Sequence, residues 1–137
     1  MTPANYIRAQ LAEHCFMEAG HMGGLKPMLA IAFIVRNRVR AGWYGGDWMQ
    51  TIENHWQASS REPYERPRPS LRSPDFQQLL SRIDDIHTGM EPDEMTAEGL
   101  YYCELHLVDR VWFRDNILRK GEEHPRIANV GQMVISA

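Results

Sequence analysis

Glu18 is the side chain whose position most needs a chemical explanation. It follows Ile7, Leu11 and Cys15, apolar residues that recur every four positions. At about 100° per residue, position 18 falls within about 20° of Ile7 and Leu11 on the helix those residues imply. A carboxylate there faces the interior or a cleft, beside Gly20, Gly23 and Gly24, which leave space for a ligand. Desolvation favours the protonated form, and a general acid must be protonated at neutral pH. The plainer alternative is a carboxylate at a helix end that pairs with Arg38 or Lys26.

Other chemistries are thinner. His14, Glu18 and His21 share a helix face by spacing, but Gly20 ends that helix before His21. His55, His87, His106 and His124 are scattered, and a catalytic zinc needs three converging ligands with a second shell. Neither a metal nor another cofactor is expected. Trp43, Tyr44, Trp48 and Trp56 crowd a segment with Gln57, Ser59 and Ser60, and Tyr101, Tyr102 and Trp112 follow later. Such rings beside amides and hydroxyls suit a sugar-stacking groove, or equally a satellite core under a long loop. Neither serine lies in a G-x-S-x-G elbow. Cys15 and Cys103 read as small buried hydrophobes.

The elements that must hold these groups are mainly helices. Ala4–Ala19 carries the first stripe, with Thr2-Pro3 as cap and first-turn proline. Pro27 opens a second helix, Met28–Arg40, apolar nearly all round at first and therefore buried. Arg36, Arg38 and Arg40 are expected to return it to the surface. A short helix over Trp48–Asn54 precedes a long loop, the kind that is usually functional or mobile. Ser73-Pro74-Asp75 starts another helix, continued by Phe76, Leu79, Leu80, Ile83 and Ile86 to Gly89. Thr96–Glu104 suits a strand or a buried turn. Val108–Phe113 and Val130–Ile135 are short β-leaning runs. The expected class is α+β, mostly helical, with a small sheet, as one domain over residues 1–137.

Composition narrows the rest. The 137 residues are 43% hydrophobic and 24% charged, a length that suits one domain with its own core. The net charge of −3 argues against a general nucleic-acid binder. The longest apolar run, Met28–Val35, is far short of a membrane span. Asn5, Arg8 and Gln10 interrupt what a signal peptide would keep apolar, so none is expected.

Several segments, taken in order, resemble the catalytic domain of the SleB-type cell wall hydrolases, the spore-cortex-lytic family. Phe16-Met17-Glu18-Ala19 is similar to its aromatic-x-Glu-Ala signature, and Val35-Arg36-Asn37-Arg38-Val39 to its apolar-x-Asn-Arg-Val helix ending. Trp56-Gln57-Ala58-Ser59 stands where the family has Gln-Phe-Ser. Pro92-Asp93, Thr96 and Gly99-Leu100-Tyr101-Tyr102 resemble its Pro-Asp pair and Thr-Gly-Gly-Ala-x-Tyr-Tyr stretch. Trp112 and Val130–Ile135 resemble its later Trp and its Ile-Gly-Asn-His-x-Phe ending. The chain departs from the pattern at Ala58, at Gln132-Met133 and in one extra residue between Asp93 and Thr96.

The resemblance implies a lysozyme-like fold acting on the glycan strands of peptidoglycan, with Glu18 as the acid. On this resemblance the leading expectation is a lytic transglycosylase cutting between N-acetylmuramic acid and N-acetylglucosamine, a route that needs no second carboxylate and so fits a Glu18 without an obvious partner. The alternatives are a muramidase-type hydrolase using Glu104, or less readily Asp93 or Glu98, and a glycan-binding protein without turnover. Gln57 and Ser59 on one wall, with Tyr101 and Tyr102 on another, are expected around Glu18. If residues 100–103 are extended, the two tyrosines part company: Tyr102 is assigned to the cleft, and Tyr101 with Cys103 to the core. Action at the bacterial wall is expected, as a trimmed secreted domain or a phage-type lysin. Oligomeric state stays open.

Overall fold

The computed structural model describes residues 3–54, 72–104, 126–131 and 133–136, with the side chains at 103, 104, 126 and 127 outside that description. It is mostly helical, with one small antiparallel sheet. Helix α1 spans Ala4–Ala19, and its N-cap is Pro3, extended and without a side-chain cap. Proline therefore sits one position earlier than the sequence suggested. Leu11, Ala12, His14, Cys15, Met17, Glu18 and Ala19 are all buried, so the second half of α1 is enclosed on nearly every side.

Helix α2, Lys26–Arg40, is the centre of the core. Every residue from Pro27 to Arg38 is buried, because α1, the short helix α3 (Trp48–Asn54), helix α4 (Pro74–Thr88) and the sheet surround it. This corrects one expectation. Arg36 and Arg38 do not return the helix to the surface; they are 2% and 3% exposed, and only Arg40 reaches water. Their charges end inside because the chain from Glu91 to Leu100 folds over them and supplies backbone carbonyls.

Helix α4 follows its sequence signals closely. The Ser73 hydroxyl accepts from Phe76 N–H at 3.4 Å, Pro74 opens the first turn, and Gly89 closes the helix at φ +82°. Phe76, Leu79, Ile83 and Ile86 form its buried face. Phe16 of α1 meets Phe76 edge-on, with ring centres 5.6 Å apart.

The sheet has the order β1-β3-β2, where β1 is Tyr101–Glu104, β2 Arg126–Val130 and β3 Met133–Ser136. The β-leaning run Val130–Ile135 is not one strand. It straddles the β2–β3 hairpin, which turns at Gly131 with φ +57° between the paired Val130 and Met133. All four residues of β3 are buried. The run Val108–Phe113 lies outside the described residues. No helix among the described residues is long and apolar enough to cross a membrane.

Candidate active site

Glu18 lies on the last turn of α1 and is 5% exposed. The chain leaves that turn through a 3-10 turn at Gly20–Met22, then Gly23 and Gly24, both at positive φ. From β1, 84 positions along the chain, the Tyr102 hydroxyl donates to Glu18 Oε2 at 2.7 Å. A buried carboxyl held in this way can exchange a proton with a bound group. The pairing of Glu18 with Arg38 or Lys26 is not found: Arg38 is engaged elsewhere and Lys26 is exposed.

The strand that carries Tyr102 is held from α2. Arg38 Nε donates to Leu100 O at 2.8 Å, and its guanidinium lies 4.7 Å over the Trp43 ring. One residue earlier, Asn37 Nδ2 donates toward Gly99 O (2.9 Å), Thr96 Oγ1 (3.1 Å) and Asp93 Oδ2 (3.4 Å). Arg36 Nη1 donates to Ile86 O at 3.2 Å and Glu91 O at 2.6 Å. Three consecutive residues of one helix thus fix the whole approach to β1.

Asp93 is the hub of that approach. Its Oδ1 accepts from Thr96 N–H (2.8 Å) and Met95 N–H (3.0 Å), and its Oδ2 accepts from the Thr96 hydroxyl. Burial pushes the carboxyl up, but these bonds and the Asn37 amide outweigh it and hold Asp93 below its ordinary value. A carboxylate so occupied is unsuited to activating water. Glu98 is exposed in the turn that follows. The side chain of Glu104 lies outside the description.

The two tyrosines do part company. Tyr102 reaches Glu18, while Tyr101 packs against Trp43 with ring centres 5.8 Å apart. Tyr101 is half-buried rather than filling the core, because the turn after α2 offers it an indole near the surface. Gln57 and Ser59, with Trp56 and Trp112, lie outside the described residues. Cys15 is fully buried, and burial pushes its thiol well above the ordinary value. His14 is buried one turn before Glu18, but His21 is exposed. Among the described residues no three His, Cys, Asp or Glu side chains gather as a metal site would require.

Sequence reasoning missed the part played by Arg38 and Asn37. The available signal was an Arg-Asn-Arg run that continues an all-apolar helix with no turn residue between. Compared with protein-family models, curated proteins and solved structures, the chain finds no match.

Proposed function

We propose that this chain is a peptidoglycan-cleaving glycosidase of the lytic transglycosylase type, with a lysozyme-like fold and Glu18 as its single acid–base group. The observation that carries this reading is the buried Glu18 carboxyl with the Tyr102 hydroxyl at 2.7 Å. A second circumstance supports it. Residues on which the family resemblance rests pair across long stretches of sequence, Glu18 with Tyr102, Asn37 with Thr96 and Arg38 with Leu100.

In this reading Glu18 gives its proton to the glycosidic oxygen between N-acetylmuramic acid and N-acetylglucosamine. The bond from the muramoyl anomeric carbon to that oxygen breaks through an oxocarbenium-like state. The resulting carboxylate then takes the proton of the muramoyl 6-hydroxyl, whose oxygen bonds to the same anomeric carbon. An anhydro sugar forms, and Glu18 ends protonated as it began. One carboxyl suffices, which agrees with Asp93 being committed to the loop.

Digestion of purified sacculi, followed by mass spectrometry of the products, tests this. Anhydro-muropeptides are expected from the wild type, and Glu18→Gln should lose at least about a hundredfold in rate. Reducing muropeptides would replace the proposal with a hydrolase. Glycan binding with no release by either protein would replace it with a binding module.

A further inference from the structure

Helix α2 buries two arginines two residues apart, and the structure treats them differently. Arg36 has counter-groups: carbonyls of Ile86 and Glu91 accept from its Nη1, and the Asp93 and Glu91 carboxylates act favourably on its charge, although its Nε has no partner among the described residues. Arg38 is as deeply buried, at 3% exposure. Only its Nε has an acceptor, Leu100 O, and one flat face is covered by the Trp43 indole. Its two terminal nitrogens have no acceptor among the described residues. Among the described residues, the groups that act on its charge are the phenols of Tyr102, Tyr101 and Tyr44, with no carboxylate beside them.

A guanidinium taken out of water without a counter-charge is costly, so its retention points to an anion that completes the site. The free end of the fork matches the two oxygens of a carboxylate, and the stacking on Trp43 orients that fork in advance. The rim carries a further sign. Tyr44, 43% exposed, is held at φ +51°, a strained backbone of the kind that gathers at ligand sites.

We propose that Arg38, walled by Trp43, Tyr44 and Tyr101, is a subsite for a carboxylate carried on the muramoyl side chain of the glycan strand. The need for an anion stands on the arginine alone; its muramoyl carrier rests on the function proposed above. The position suits that carrier. Arg38 holds Leu100 O, two residues before the tyrosine that reaches Glu18. The sugar whose anomeric bond is cut is the one that bears this side chain. The carboxylate is either that of the lactyl group on a peptide-free strand or one on the stem peptide.

Binding of monosaccharides tests the subsite without turnover, since they hold no glycosidic bond to cut. The probes are N-acetylmuramic acid, its neutral methyl ester, a muramoyl dipeptide, N-acetylglucosamine and inorganic phosphate. The readout is the Trp43 indole resonance, assigned with Trp43→Phe. N-acetylmuramic acid or the dipeptide should shift that resonance in a saturable, salt-sensitive way, and whichever binds tighter identifies the carboxylate. The ester and N-acetylglucosamine should bind at least about tenfold more weakly, and Arg38→Gln should remove the difference between acid and ester. The acid–ester comparison uses the wild-type chain, so it decides the matter even if Arg38→Gln does not fold. Equal binding of acid and ester, no shift of Trp43 by either carboxylate, or tighter binding of phosphate would overturn the proposal. Failure to cleave sacculi would overturn the enzymatic reading while leaving this result as it stands.

Discussion

At the scale of single residues, Tyr102 is the most informative position to change. Tyr102→Phe keeps the ring and removes the hydroxyl that donates to Glu18 Oε2. In the proposed reaction, loss of that bond should lower the maximal rate of sacculus cleavage. An unchanged rate would remove Tyr102 from the chemistry. His87 allows a second test, on stability. Arg8 Nε donates to its Nδ1 at 3.1 Å and Trp48 packs edge-on against its ring. Burial and then Arg8 push it below its ordinary value, against the pull of Asp84. Its contribution is therefore complete above the unfolded value near 6.5 and lost as pH falls through the lowered folded value. Melting temperature should decline from about pH 7 to about pH 5, and His87→Leu should flatten that decline. The burial of Glu18 was legible because it depends only on helical angle. Its contact with Tyr102 was not, because residues 84 positions apart leave no local pattern, and the buried arginines were misread because charge alone argues for solvent.

The turn Thr96–Gly99 shows what an element demands of its residues. Ala97 and Glu98 sit at φ +50° and +63°, and Gly99 N–H donates back to Thr96 O at 2.9 Å, the pattern of a type I′ turn. The resembled family has Gly-Gly at these two positions, where glycine bears no Cβ penalty. Ala97→Gly should therefore raise stability by about 1 kcal/mol, measured by urea unfolding. Gly99 is the reverse case. A Cβ there would collide with Ile135 Cγ2 and crowd the Ser136 carbonyl, so Gly99→Ala should destabilise the sheet and weaken the Tyr102 contact with it. Helix boundaries were legible where caps and periodicity agree, as at Ser73 and Gly89. The β2–β3 hairpin was not, because only Gly131 and Gln132 separate its two short apolar runs.

For the molecule as a whole, α2 decides stability. Ile31 is fully buried in the middle of it, and Ile31→Ala should cost about 2–5 kcal/mol in urea unfolding. Exposed Glu53 on α3 should tolerate alanine within about 0.5 kcal/mol. A mostly helical molecule with a small sheet was legible from a pattern of long periodic segments and short β-leaning ones. The packing of loop 91–100 onto α2 was not, since it depends on hydrogen bonds between distant parts of the chain. The sheet order has a consequence for the timing of synthesis. Within the described residues β1 pairs with β3 alone, and β3 leaves the ribosome about thirty residues later, a few seconds at ordinary elongation rates. During that interval the nascent chain has made Glu18 and Tyr102 but not the strand that pairs with β1. If the site has the function proposed, the chain is born inactive, and a stalled translation product ending before Met133 should carry helices without glycan-cleaving activity.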